Sequence, residues 1–294
     1  MDIRNIAIIA HVDHGKTTLV DQLLKQSGSF RENQHVAERA MDSNDLERER
    51  GITILAKCTS VVWKDTRINI IDTPGHADFG GEVERILSMV DGAVVLVDSA
   101  EGALPQTKFV VGKALARGLK PIVVVNKIDR GDARPDEVHN EIFDLFAALG
   151  ANDEQLDFPM LYASGRQGWA DTEIDGPRKD LSPMFDLILR HVPAPKVNKD
   201  APFAMVATIL ENDNFLGRVL TGRVEQGTAK MNMPVHVLRP DGSVVETGRL
   251  TKLLSFRGLD RVPVEEVEAG DIVAVAGLSD ATIPETIAAP EVKE

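Results

Sequence analysis

Residues 6–17 read IAIIAHVDHGKT. Their apolar start predicts a buried strand, and the stretch from Thr17 to Gln26 predicts an amphipathic helix. A turn between a strand and a helix directs backbone N–H groups and the positive end of the helix dipole at an anion, so this turn favours phosphate binding. Lys16 is suited to neutralise phosphate charge, and the Thr17 hydroxyl is suited to Mg²⁺. The residues expected to bind a nucleotide here are Asp13, His14, Gly15, Lys16, Thr17 and Thr18.

This turn is an incomplete phosphate loop when taken alone. Ala10 stands where the G-x-x-x-x-G-K-[ST] pattern has its first glycine. An ordinary strand-to-helix turn is therefore one alternative. A metal pair at His11 and His14 is another, although the sequence arranges no carboxylate or cysteine around the two rings.

Two later segments carry groups suited to Mg²⁺ and the terminal phosphate. Arg50-Gly51-Ile52-Thr53 lies in a long polar stretch, where the Thr53 hydroxyl would complete the metal shell only while the γ-phosphate is bound. Asp72-Thr73-Pro74-Gly75-His76 follows a predicted strand, so Asp72 would hold a metal-bound water and Gly75 would let its amide approach the γ-phosphate. Alone, the first is typical of a charged surface segment and the second of a common turn.

Two further segments suit a guanine base. Asn126-Lys127-Ile128-Asp129 closes a predicted strand, and a buried Asp129 carboxylate would accept hydrogen bonds from guanine N1 and N2, which adenine cannot offer. Asn126 would contact the Hoogsteen side of the base, and the Lys127 stem would lie over its face. Backbone amides of the last segment would reach the guanine carbonyl; its residues are Ser164, Gly165 and Arg166. All five segments lie at or beside carboxyl ends of predicted strands, where open α/β sheets bind ligands. GTP or GDP with Mg²⁺ is the expected ligand.

The apolar runs predict an α/β fold, with a P-loop domain over residues 1–195 and a mostly parallel six-stranded sheet flanked by helices. The six predicted strands are Ile6 to Ile9, Thr59 to Trp63, Arg67 to Ile71, Ala93 to Val97, Ile122 to Val125 and Met160 to Ala163, the second and third forming a hairpin. The predicted helices are Thr17 to Gln26, Gly81 to Val90, Gln106 to Arg117, Pro135 to Leu149 and Pro183 to His191.

The pattern changes after residue 195. Residues 196–202 are rich in proline and charge and predict a linker. Short strands punctuated by glycine follow without helices, which predicts a small closed β-barrel over residues 203–287. The polar residues 288–294 predict a flexible tail.

Composition restricts the classes of function. The 294 residues carry 33 basic and 46 acidic side chains, a net charge of -13, which argues against an electrostatic grip of the whole molecule on nucleic acid. The single cysteine favours a reducing cytoplasm, and the absence of a long apolar run or a signal-peptide pattern predicts no membrane association.

The five segments together resemble the translational GTPases, and the glycines of residues 217–273 match the barrel that follows the GTPase domain in that class. Within the class, the closest resemblance is to the BipA family, also called TypA. It rests on DSNDLERERGIT at 42–53, GGEVER at 80–85 and NKIDR at 126–130. LepA-type factors share the stretch ERERGIT but are less similar after His76, and a LepA-type elongation factor remains the alternative within the class.

The resemblance implies a slow GTPase that associates with the ribosome, acts as a monomer and needs the ribosome for rapid turnover. His76 would orient the attacking water behind an apolar gate of Val12 and Ile52, and the catalytic residues would be His76, Lys16 and Thr53. Members of this family are about twice as long, so we expect an N-terminal fragment with weakened ribosome contacts. A GTPase subunit for sulfate activation and a binding module for guanine nucleotides or guanosine tetraphosphate remain alternatives.

Overall fold

The computed structural model describes residues 1–11, 14–28, 57–73, 80–103 and 105–293. It divides the chain into two units, Met1–Ala194 and Pro195–Glu294. The α/β class of the first unit and the all-β class of the second confirm the predicted fold class.

The described residues of the first unit form a seven-stranded sheet. Its strands are β1 (Asp2–Ala10), β2 (Cys58–Trp63), β3 (Thr66–Asp72), β4 (Gly92–Asp98), β5 (Lys120–Asn126), β6 (Met160–Ser164) and β7 (Trp169–Asp171), in the order β2-β3-β1-β4-β5-β6-β7. The five central strands are parallel, and β2 and β7 are antiparallel to their neighbours. The predicted count of six strands is wrong by one, because β7 has only three residues and is too short to show a pattern.

The predicted hairpin of β2 and β3 is confirmed. Lys64 and Asp65 form its turn with φ values of 47° and 61°. Two consecutive left-handed residues match the right-handed twist of the strands that they join, as in a type I′ turn. The usual Asn-Gly or Asp-Gly signal is missing, so the hairpin was indicated by strand spacing alone.

Six helices lie among the described residues of this unit: α1 (Lys16–Gln26), α2 (Gly80–Leu87), α3 (Pro105–Ala116), α4 (Pro135–Ala148), α5 (Asp153–Leu156) and α6 (Ser182–His191). Helix α2 ends three residues before the predicted end at Val90. Helix α5 was not predicted; it is a single turn that Asn152 and Gln155 hold by a reciprocal capping box. None of the helices in the described ranges has the length and apolar character needed to cross a membrane.

The core of the first unit joins α1 and α6 to one face of the sheet. Ile6 and Ile8 of β1 alternate into it, and Leu23 and Phe185 bring the two helices onto the same cluster. Because the central strands are parallel, the ends of β1, β3, β4, β5 and β6 lie at one edge of the sheet. The register pairs Ile8 with Asp72 and Asp98 with Asn126.

Eleven strands lie among the described residues of the second unit: β8 (Ala204–Val206), β9 (Ile209–Asp213), β10 (Gly217–Gln226), β11 (Thr228–Lys230), β12 (Pro234–Leu238), β13 (Val244–Arg249), β14 (Lys252–Arg257), β15 (Asp260–Val264), β16 (Glu266–Glu268), β17 (Ile272–Ala276) and β18 (Thr286–Ala288). Nine form one sheet, and β11 pairs with β16. Val237 of β12 and Leu253 of β14 share one core although they lie near opposite ends of the strand order, so the sheet is strongly curved.

Three details of this unit differ from the sequence-based expectation. The strand path runs from β13 to β15 without a pairing of those two within the described residues, so the ladder is not the closed ring that was predicted. The expected flexible tail starts at Ala288, whereas Ala288 ends β18 and the carbonyl of Val292 lies 2.6 Å from Nε2 of His236. The expected linker also has contacts, since Gly227 N donates to the carbonyl of Asn198 at 2.9 Å.

Candidate functional site

The turn between β1 and α1 has the geometry of an anion-binding loop. Gly15 is the N-cap of α1 with φ 89° and ψ 23°, a left-handed conformation that favours glycine. A Cβ at this position would stand 2.5 Å from Nδ2 of Asn126. The amide of Asn126 is held in place by two hydrogen bonds described below, so only glycine fits here.

Lys16 and Asp72 connect the first helix to the end of β3. Lys16 Nζ lies 2.5 Å from Oδ1 of Asp72, whose side chain is 1% exposed. A buried carboxylate requires a cation or hydrogen-bond donors nearby, because burial destabilises an unpaired charge. Thr17, the next residue of α1, is half-buried.

Asn126 joins two of the predicted segments. Its Nδ2 donates to the carbonyl of His14 at 2.8 Å, and its Oδ1 accepts from the Gly165 amide at 2.9 Å. The side chain is buried, and both of its polar atoms are engaged with backbone. The structure therefore gives Asn126 a bridging role, and its contact with the Hoogsteen side of a base stays a prediction. The Gly165 amide, which was expected to face the nucleotide, donates to Asn126.

Lys127 follows in a left-handed conformation, with φ 61°. Its carbonyl accepts from the Ser99 hydroxyl at 2.7 Å, and its Nζ lies 3.2 Å from Oδ2 of Asp98. Asp98 was not among the predicted site residues. It could have been found in the sequence from its position directly after a predicted strand, because residues at that position lie at the same edge of the sheet as Asn126.

His14, in the turn between β1 and α1, contacts the end of β4 and the loop that follows it. Its Nδ1 accepts from the Asp98 amide at 3.3 Å, and its Nε2 lies 3.0 Å from Oε2 of Glu101. Burial lowers the pKa of the imidazole, and the hydrogen bond with Glu101 opposes this shift in part. Both ring nitrogens contact the protein, so His14 is a structural link of the loop and the alternative of a metal pair with His11 loses support.

A pocket of about 470 Å³ opens beside these groups. Its lining comes from three of the predicted segments and one additional residue, Arg130. The lining residues are Gly15, Thr18, Asn126, Lys127, Asp129, Arg130, Ser164, Gly165 and Arg166. Asp129 is exposed at this pocket and not buried as predicted, because the chain turns outward after Ile128, whose amide donates to Ala163. Arg130 pairs with Asp132 and Asp98.

Four predicted site residues lie outside the described part of the chain: Asp13, Thr53, Gly75 and His76. The same holds for Val12 and Ile52. Their assigned roles therefore rest on sequence alone.

Comparisons with known proteins match both units of the chain to known domain families. Residues 1–194 match the elongation factor Tu GTP binding domain, and residues 217–288 match elongation factor Tu domain 2. The chain is 56% identical over 286 residues to a large ribosomal subunit assembly factor BipA of Bacillus subtilis (strain 168), covering 97% of this chain and 47% of that protein.

Two other BipA proteins are similarly related. The identity is 55% over 291 residues to the factor of Synechocystis sp., with 99% of this chain and 49% of the relative covered. It is 52% over 290 residues to that of Salmonella typhimurium, with 99% and 48% covered. The chain thus spans about half the length of these relatives. With its first 194 residues matched by the family model, and with three of the predicted segments meeting at one pocket, the chain belongs to the elongation factor Tu GTP-binding domain family.

Proposed function

We propose that this chain binds GTP and GDP in the pocket beside Asn126, and that the protein to which it corresponds hydrolyses GTP in association with the ribosome. The observation that carries the proposal is the double bridge of Asn126, which holds the phosphate loop and the Ser164-Gly165 loop at one site. A nucleotide needs such a site, because its phosphates and its base must be recognised together.

The described residues suit the two ends of a nucleotide. Lys16 and the N-terminus of α1 would contact the phosphates. Asp129, exposed at the pocket, would accept hydrogen bonds from guanine N1 and N2, and the stem of Lys127 would lie against the base. Since Asn126 occupies the Gly165 amide, the next amide in that loop, Arg166, is our candidate for the guanine carbonyl.

The donors near Lys16 fit Mg²⁺. A hydroxyl on Thr17 and a buried carboxylate on Asp72 are hard oxygen ligands of the kind that this ion prefers. Thr17 and Thr53 would hold the ion, and Asp72 would hold it through water. When bound, the ion neutralises charge on the β- and γ-phosphates.

The step of hydrolysis is proposed from the motifs outside the described residues. His76 would align the attacking water, Thr53 would respond to the γ-phosphate, and Val12 and Ile52 would restrain His76. Catalysis of this kind depends on positioning and on charge stabilisation, and a stabilising group supplied in trans contributes about 10³ to 10⁵ in rate. We therefore propose slow turnover by the isolated chain.

The proposed partner is the ribosome, since the related proteins are named large ribosomal subunit assembly factors. We also propose that the protein is a monomer in the cytoplasm, where it would meet the ribosome. The chain spans about half the length of these relatives, so hydrolysis and docking by the whole protein are proposals here.

The test has two stages. Binding of GDP and of GTP is measured first by calorimetry. If the chain binds neither nucleotide, the proposed function is refuted. GTP turnover is then measured with and without purified ribosomes at a stated salt concentration, for the parent chain, His76→Ala and the surface control His139→Ala. We expect stimulation in the parent and in the control, and its loss in His76→Ala. Rapid turnover without ribosomes would contradict the restrained histidine.

A further inference from the structure

Asp98 is a buried carboxylate that the proposed chemistry does not use. It ends β4 and pairs in register with Asn126 at the end of β5, so it lies at the sheet edge where the pocket opens. Only 1% of its side chain is exposed. A buried charge at such a position needs several partners, since each lost partner leaves it poorly solvated.

The two oxygens of Asp98 serve different parts of the structure. Oδ1 accepts from the amides of Ala100 and Glu101 at 2.8 and 3.1 Å, which fixes the start of the loop after β4. Oδ2 lies 3.2 Å from Lys127 Nζ and 3.4 Å from a terminal nitrogen of Arg130. Although burial alone raises the pKa of Asp98, these amides and Lys127 lower it to a net value below the ordinary one, so the group is ionised at neutral pH.

Lys127 is thereby held at both ends. Its backbone is left-handed and its carbonyl accepts from Ser99, while its ammonium group is paired with Asp98. Between these ends its Cε passes 3.9 Å from the point where a Cβ of Gly15 would stand. A lysine side chain otherwise loses about 2 kcal/mol of rotamer entropy when a ligand immobilises it.

We propose that Asp98 is a positioning residue for nucleotide binding, which anchors the ammonium group of Lys127 so that the lysine stem forms a preorganised wall for the base. This inference rests on the proposed binding of guanine nucleotides. Asp98 does not touch the nucleotide in this proposal; it acts through Lys127, and its contribution is the ordering of that side chain before binding.

A double-mutant cycle on GDP affinity tests the proposal. Asn at position 98 retains an oxygen for the two loop amides but loses the charge that holds Lys127. We expect Asp98→Asn to weaken GDP binding about tenfold, as expected for one lost charge-assisted contact. In a Lys127→Met background the same change is expected to alter affinity less than about twofold, because the anchored group is already gone. Asp132→Asn, which removes a neighbouring carboxylate that pairs with Arg130, is the matched control and should bind GDP like the parent.

The outcomes separate the inference from the function on which it rests. If the parent chain does not bind GDP, the proposed function fails. If the parent binds and Asp98→Asn binds equally well, or loses the same factor in both backgrounds, the positioning role is refuted. Should Asp98→Asn not fold, Lys127→Arg and Lys127→Met carry the test, since arginine still reaches Asp98 and methionine cannot pair with it. Equal affinities of those two variants would overturn the proposal.

Discussion

Lys16 Nζ lies 2.5 Å from Oδ1 of Asp72, so the lysine assigned to the phosphates is paired with a buried carboxylate from the end of β3. The pair joins the phosphate loop to the segment that continues toward Gly75 and His76. Lys16 therefore has a role in the fold beside its proposed role in binding, and variants can separate the two.

Lys16→Met is expected to lower the free energy of unfolding by about 3 kcal/mol, because it removes the cation from a buried ion pair. It should also weaken GDP binding about 10- to 100-fold through the lost phosphate contact. The double variant Lys16→Met/Asp72→Asn is the control: it should regain much of the stability and none of the affinity. Chemical denaturation and calorimetry measure the two effects, and a double variant no more stable than the single one would contradict the role of the pair.

Asn126→Ala removes both hydrogen bonds that connect His14 and Gly165. We expect a loss of about 2–4 kcal/mol in unfolding free energy, since two buried backbone groups lose their side-chain partner. Nucleotide affinity should fall with it. Asn140→Ala on the exposed side of α4 is the matched control and should change stability by less than about 0.5 kcal/mol. Equal stability of the two variants would refute the bridge.

Asp129→Asn should change which base is bound. An amide at this position can donate to a carbonyl and can no longer accept two N–H groups from guanine, so GDP affinity should fall by about 100-fold or more while xanthosine diphosphate binds better. Competition between the two diphosphates measures this preference. Asp132→Asn should keep the guanine preference, and unchanged preference in Asp129→Asn would place the base elsewhere.

We expect the free energy of unfolding to fall in mild acid because of the buried His14. Its pKa is lowered by burial in the folded state, so the unfolded chain binds the proton more readily. The stabilising contribution is complete above the unfolded value of about 6.5 and is lost as pH falls toward the folded value, with a slope of at most about 1.4 kcal/mol per pH unit. Protonation also displaces the hydrogen bond from the Asp98 amide to Nδ1.

The measurement is the free energy of unfolding of the parent and of His14→Gln between about pH 7.5 and about pH 5.5. The variant should lose part of the slope. Some slope should remain, because burial lowers the pKa of His191 in the same direction. Asn140→Gln, which changes no titratable group on the exposed side of α4, should retain the parental slope. A His14→Gln variant with an unchanged slope would contradict the assignment.

Several features of the fold were predictable because they depend on local pattern. The strands at Ile6 and Ile122 are apolar runs bounded by turn residues, and α4 starts at Pro135 and carries a regular apolar face. Strand β7 and helix α5 were missed because elements of three or four residues give no periodicity. In the second unit, β11, β16 and β18 have no counterpart among the short strands that the glycine-punctuated pattern indicates, since each pairs with a strand far along the chain. Strand β15 has none either, although it pairs with the neighbouring strand β14 in a hairpin.

The sequence by itself determined the order of the binding segments, the residue types offered to phosphate and base, and the family of the chain. Only the tertiary structure decided how those residues act on one another. Asn126 bridges His14 and Gly165, which lie 112 and 39 positions away along the chain. Lys127 pairs with Asp98 on the neighbouring strand. Such partners meet because parallel strands bring their carboxyl ends to one edge of the sheet. A pattern along the chain does not show which residues meet in space, so it indicated neither the bridge formed by Asn126 nor the position of Asp98 beside Lys127.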